Sequence, residues 1–151
     1  MAIAPPLDNL TLDLTEEVNV RASLEATFDS ILAQMGRLNE TPDGKPFPMV
    51  LESWPGGRWY RDLGGDNGHL WGHVQSIKRP TLLEIYGPLF MSYPTMSNLQ
   101  YRLKEVEGGT LIVFRHTAFG FIQDDHRMGV AQGWTPLLAR IRRDAEQGRL
   151  A

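Results

Sequence analysis

Four histidines, His69, His73, His116 and His126, are the side chains here best suited to move a proton or hold a metal ion near neutral pH. His69 and His73 stand four apart in a stretch that alternates as a strand. They therefore share a face there, yet about 13 Å of rise separates them, too far for one ion. No HxH or HExxH spacing occurs, and a chain without cysteine has no thiolate zinc ligand and no thiolate nucleophile. The expectation is no metal and no cofactor. His116, among Ile112, Phe114 and Ala118, has the setting of a hydrogen-bonded core or cavity histidine. Ser53, Ser76, Ser92 and Ser97 all lie outside any Gly-x-Ser-x-Gly turn, and Asp62, Asp66, Glu84 and Asp124 show no pairing. The Gly-Gly pairs belong to hairpins rather than to a phosphate cradle. Acid/base catalysis is left with His116 or a cavity carboxylate as its candidates.

Large, adaptable side chains are the stronger signal. Trp59, Trp71, Tyr86, Phe90, Met91, Tyr93, Met96, Tyr101, Phe114 and Trp134 are many for a chain of 151 residues. Taken singly, each has core filling as its plain use. Taken together they can line a pocket in which Arg58, Tyr101 or His116 orients a ligand. The expected ligand-contacting set is Arg58, Trp59, Trp71, Tyr86, Met91, Tyr101, Phe114, His116, Trp134 and Leu138. Strand parity leaves open whether Trp59 and Arg61 or Arg58 and Tyr60 face inward, because a bulge exchanges the two faces.

The elements that must position these residues are legible from period and punctuation. Trp54 to Gly72 carries three tryptophans and two turn signals, Pro55-Gly56 and Asp66-Asn67-Gly68, which make it a β-meander. Before it, Leu10, Leu12, Leu14, Val18 and Val20 alternate with polar residues as a long half-buried strand, interrupted in pattern only at Glu16. Ser23 caps a helix carrying Phe28, Ile31, Leu32 and Met35, which Gly36 ends in the left-handed conformation. The loop LNETPDGKPFP is the segment expected to be mobile. Strands follow from Met49, from His69 to Ile77, from Thr81 to Tyr86, from Leu99, and from Leu111 to Ala118 beyond a Glu107-Gly108-Gly109 turn. From Asp124 to about Gln147 a helical stripe runs through Met128, Ala131, Trp134, Leu138, Ile141 and Ala145. Asp124 or Asp125 caps it, Arg140, Arg142 and Arg143 suit its C-terminal dipole, and Pro136 predicts a kink or a restart near Thr135. Residues 1–9 read as a loose arm and residues 10–151 as one domain.

A net charge of −3 without like-charge runs gives no footprint for nucleic acid or an anionic membrane, and no apolar run reaches the roughly 20 residues of a membrane helix. The start of the chain lacks the pattern of a signal peptide, and freedom from cysteine suits a reducing compartment, so a cytoplasmic location is expected.

The order strand, helix, antiparallel strands, long helix describes an α+β fold in which a curved antiparallel sheet of six or seven strands wraps the last helix. The chain resembles the SRPBCC superfamily, the START or birch-pollen-allergen-like helix-grip fold. Its branch is similar to the C-terminal domain of the activator of heat-shock protein 90 ATPase. The resemblance rests on Val20-Arg21-Ala22-Ser23-Leu24-Glu25-Ala26-Thr27-Phe28, Gly56-Gly57-Arg58-Trp59, Gly72-His73-Val74 leading to Pro80 and Leu83, and Gly133-Trp134-Thr135-Pro136-Leu137-Leu138. The Pro-rich loop and the Trp-Pro-Gly-Gly opening depart from it. This branch shares no catalytic motif, so no active-site residue is carried over. The resemblance implies a helix–sheet cavity that binds a small apolar or amphipathic molecule without turnover. The alternatives are a chaperone-interaction or self-association module, with an exposed apolar patch on the outer sheet face or around Gly87–Ser97, and a cyclase- or dehydratase-type enzyme.

Overall fold

The structure is a computed structural model that describes residues 6–148. Strand β1 (Thr11–Val20) leads into helix α1 (Leu24–Met35); β2 (Val50–Leu51), β3 (Arg58–Gly64), β4 (Asn67–Lys78), β5 (Leu82–Gly87), β6 (Thr95–Val106) and β7 (Gly109–Gly120) follow, and helix α2 (Asp124–Gln147) closes the chain. The strands form one antiparallel seven-stranded sheet in the order β1-β7-β6-β5-β4-β3-β2. This is the helix-grip architecture, with α2 against the inner face of the curved sheet. Part of the N-terminal arm, residues 1–5, lies outside the described residues. Leu7–Leu10 form a 3-10 turn, and the Arg127 guanidinium donates to the carbonyls of Asn9 and Thr11, which ties this turn to α2.

Alternation sets the inner face. Leu12 and Val20 of β1, Leu83 and Ile85 of β5, Leu99, Tyr101 and Leu103 of β6, and Ile112 and Phe114 of β7 are buried. Over them lie Phe28, Ile31 and Met35 of α1 and Val130, Trp134, Leu137, Leu138 and Ile141 of α2. Burying each such side chain contributes about 1.5–3 kcal/mol. The core-facing phase of α2 is set by Val130, Trp134, Leu137, Ile141 and Ala145, so Met128, expected on that stripe, is 69% exposed. Glu16 points inward, and its Oε1 accepts from Thr135 on α2 at 2.8 Å.

Several local expectations need correction. The second meander turn is centred two residues earlier than the Asn-Gly step. Gly65 and Asp66 form the loop, both at positive φ (59° and 61°), and Asn67 pairs with Gly64 as the first residue of β4. Asn67 instead fastens the turn, donating to the carbonyls of Gly64 and Gly65. Gly36 ends α1 at φ −109°, outside the left-handed region. Neither Asp124 nor Asp125 caps α2: Gln123 is the N-cap residue, and both aspartates lie in the first turn. No arginine falls in its last turn; Arg140, Arg142 and Arg143 instead pair with Glu40, Glu146 and Asp144. Helix α2 runs on through Pro136 without a restart. Pro136 has no N–H to donate to the Gln132 carbonyl one turn back, and Gln132 is an exposed residue. No helix among the described residues is long and apolar enough to cross a membrane.

Candidate functional site

A one-residue bulge in β4 builds the site. Trp59 pairs with Gly72 and Tyr60 with Leu70, which leaves Trp71 with no residue opposite. The extra residue turns Trp71 onto the inner face beside Trp59, with ring centroids 5.1 Å apart and planes at 82°. It also separates the two histidines that simple alternation would place together. His69 accepts the Trp71 indole N–H at 3.2 Å, whereas His73 stacks on Tyr86, 5.8 Å away and exposed on the outer face. The parity question is thereby settled: Trp59 is buried, and Arg58 is exposed, held by Glu52 at 2.8 Å and lying over the Tyr60 ring.

Trp71 forms the centre of an aromatic wall. Phe47 lies 6.0 Å from it and Phe90 5.8 Å, the first from the α1–β2 loop and the second from the β5–β6 connection. The Arg61 guanidinium sits 4.2 Å over Phe47 and donates to the Pro48 carbonyl, which pins the loop to the sheet. The loop, expected to be mobile, is folded on itself: Phe47 N–H donates to the Asn39 carbonyl and Thr41 N–H to the Lys45 carbonyl, both at 2.8 Å.

Between this wall and α2 lies a cleft of about 420 Å³. Helix α2 supplies one long side, from Asp125 and His126 through Gly129, Val130, Gly133, Trp134 and Leu137 to Arg140. The spacing is that of a single helix face. Gly129 and Gly133 leave the helix bare, since an added Cβ would meet nothing within 4 Å at the first and only Pro42 Cγ, 4.0 Å away, at the second. Polar groups gather at the two ends. At one, Arg140 donates to Gln34 Oε1 at 3.1 Å and faces the Glu40 carboxylate at 3.5 Å; burial pushes its guanidinium below the usual range. At the other, His126 Nδ1 lies 2.8 Å from the Tyr93 hydroxyl.

Of the ten residues expected to contact a ligand, Trp59, Trp71 and Trp134 come together on the cleft walls. Met91, Tyr101, Phe114, His116 and Leu138 are buried core residues. Tyr101 donates its hydroxyl to the Met35 sulfur, and burial raises its pKa far above the ordinary value. Behind Trp134 lies His116, fully buried: the Trp134 indole donates to Nδ1 at 3.0 Å, and Nε2 lies 2.9 Å from Ser97 Oγ. An indole N–H only donates, so Nδ1 is bare and the ring proton sits on Nε2, bound to Ser97. Desolvation lowers the His116 pKa to about 4. Both nitrogens are engaged within the core, which suits a structural histidine and not a base facing substrate. Arg58 and Tyr86 stand on the outside of the sheet.

The expected ligand-contacting set omitted Phe47, His126, Gly129, Gly133 and Arg140, all on the cleft. The pair of glycines four apart beside Val130 and Trp134 was the available signal, because a helix interior gains nothing from glycine. Among the described residues there is no group of three or more His, Cys, Asp and Glu able to hold a metal ion.

A seven-stranded antiparallel sheet closed over one long helix, with a cleft between them, is the SRPBCC or helix-grip class of protein. Within it, the chain belongs to the activator of Hsp90 ATPase homolog 1-like protein family, whose model matches residues 44–145. None of the curated proteins matches the sequence. Similar solved structures include a putative uncharacterized protein from Rhizobium leguminosarum, 19% identical over 91% of this chain and 95% of its own, with a TM-score of 0.66. The di-domain ARO/CYC protein StfQ of the steffimycin biosynthetic pathway is 11% identical over 96% of this chain and 54% of its own, with a TM-score of 0.67. Ara h 8.0201 is 14% identical over 89% and 97%, with a TM-score of 0.63. At these identities the likeness is one of fold.

Proposed function

We propose that this protein binds a small apolar or amphipathic molecule in the cleft between α2, the α1–β2 loop and the Trp59–Trp71 wall. The observation that carries the reading is the cleft's combination of aromatic walls with a bare helix face at Gly129 and Gly133. Apolar concavities with a few polar groups at their margins are the usual form of small-molecule sites. Binding is favoured over turnover because His116, the histidine expected to act as a base, is sealed behind Trp134. The site thus takes Trp59, Trp71 and Trp134 from the expected set and adds Phe47, Phe90 and Val130. A cysteine-free chain suits a reducing compartment, and we place the protein in the cytoplasm.

Native mass spectrometry of the purified protein, with denaturing extraction of anything bound, tests this directly. Titration with 2-acetylnaphthalene, followed by tryptophan fluorescence, tests it without a natural ligand. Saturable quenching that Gly133→Leu abolishes is expected, since the leucine projects into the cleft. No co-purifying molecule and no saturable quenching would remove the reading.

A second reading has its own observation. On the outer face Met96 stands directly opposite Phe119, the two 52% and 56% exposed, with Tyr86 beside them and Phe121 at 62%. An apolar cluster of this kind suits a protein contact, a chaperone in keeping with the family's name or a second copy of the chain. Met96→Lys with Phe119→Lys should then abolish capture of heat-shock protein 90 or reduce the sedimenting mass. A wild-type protein that is monomeric and captures no chaperone would exclude it.

A further inference from the structure

The following rests on the cleft being a binding site. We propose that His126 recognises the polar end of the bound molecule, offering its Nε2 proton to an uncharged carbonyl oxygen on an otherwise apolar body. The Tyr93 hydroxyl has one proton and two lone pairs. One lone pair receives the Gln123 backbone N–H at 3.2 Å, and His126 Nδ1 lies 2.8 Å away. Were Nδ1 to donate instead, both the Tyr93 hydroxyl proton and the Nε2 lone pair would lack a partner among the described residues; with Tyr93 donating to Nδ1, a single proton is left over. The neutral imidazole then carries its proton on Nε2, which has no partner among the described residues.

Its surroundings make that proton distinctive. The three indole N–H groups on the cleft walls are already engaged: Trp59 with the Met35 carbonyl at 2.7 Å, Trp71 with His69, and Trp134 with His116. Arg140 is fourteen residues further along α2, about 21 Å at the helical rise, and is held by Gln34 and Glu40. The middle of the cleft therefore offers ring faces and the bare backbone at Gly129 and Gly133, but no free indole donor. Phe90 packs edge-on against the His126 ring at 5.3 Å and fixes its plane. Asp125, next to His126 on the same margin, sets a carboxylate where a ligand carboxylate would be repelled. An uncharged ketone fits all of these constraints.

The test uses three probes of one shape on the full chain: 2-acetylnaphthalene, 2-ethylnaphthalene, which replaces the carbonyl by a methylene, and 2-naphthoate. Dissociation constants come from tryptophan quenching. The ketone should bind about three- to tenfold more tightly than the hydrocarbon, the range a neutral hydrogen bond supplies, and the acid no more tightly than the ketone. His126→Phe keeps the ring against Phe90 and should bring the ketone-to-hydrocarbon ratio to one. Tyr93→Phe, which releases Nδ1, should lower it part of the way. Equal binding of ketone and hydrocarbon to the wild type, or a ratio unchanged in His126→Phe, overturns the assignment while leaving the cleft a binding site. Tightest binding of the acid overturns it in favour of recognition by Arg140. Saturable binding of none of the three removes the binding reading itself.

Discussion

The Trp134 indole donates to Nδ1 of His116 over 3.0 Å, a contact that joins the cleft wall to a buried histidine whose charged form desolvation disfavours. With a folded pKa of about 4 against 6.5 unfolded, His116 gives stability a defined pH dependence. Between those values the unfolded chain takes up a proton that the folded chain refuses. Stability is therefore complete above pH 6.5 and falls as the pH drops towards 4, by on the order of 3 kcal/mol. Urea unfolding at pH 7.5 and 4.5 should show the wild type losing more than His116→Gln, whose amide can still accept from Trp134 and donate to Ser97. Equal losses in the two proteins would dismiss His116 as the titrating group.

Two inner-face rings reach Met35 by different atoms, and the difference should be measurable. Trp59 donates to the buried Met35 carbonyl at 2.7 Å, while the Tyr101 hydroxyl reaches only the Met35 thioether sulfur, a weak acceptor. Trp59→Phe strands a buried carbonyl and removes volume, so it should cost about 2–3 kcal/mol. Tyr101→Phe should cost less than about 1 kcal/mol. Urea midpoints at neutral pH rank them; the reverse order would contradict this account of the core.

The fold was largely legible in the sequence because alternation along β1, β6 and β7 and the 3.6-residue period of α2 are strong, local patterns. The cleft was legible only in part. Trp59, Trp71 and Trp134 stand out by type, but the inward placement of Trp71 depends on a bulge, a matter of pairing register that β4 does not reveal by itself. Phe47 reaches the site through a loop, where no periodicity exists to read, and Arg140, though on α2, is held at the cleft by Glu40 of that same loop. His116 and His126 look alike as letters; which is sealed and which faces the cleft follows from the partners Trp134 and Tyr93, distant in sequence. Met128 misleads because an apolar residue at nearly the right spacing is one helical step out of phase.

The corrected turn at Gly65-Asp66 gives Gly68 a different role from the one an Asn-Gly loop would assign. A Cβ on Gly68 would lie 2.1 Å from the Arg61 carbonyl oxygen, so the glycine permits close approach of β3 and β4. Gly68→Ala should cost about 1–3 kcal/mol by forcing the strands apart. Asn67→Ala, which removes two exposed hydrogen bonds to the turn, should cost about 1 kcal/mol or less. Equal midpoints for Gly68→Ala and the wild type in urea would show the close approach to be unnecessary.

Gly129 and Gly133 carry the last prediction, because stability and binding should there move in opposite directions. Both lie inside α2, where glycine is worse than alanine by about 1 kcal/mol, and neither meets a neighbour that requires its small size. Alanine at either position should therefore raise stability by about 0.5–1 kcal/mol, seen as a higher melting temperature. Each new methyl also stands on the cleft wall and takes space from a flat ligand, so the affinity for 2-acetylnaphthalene should fall severalfold. In the double substitution the stability gains should add, since neither methyl meets a crowding neighbour, whereas the losses of affinity should not, since both methyls take space from the same ligand. A protein made more stable with its affinity intact would mean that the ligand does not lie along this face of α2. One made less stable would mean that the glycines serve the packing of the helix after all.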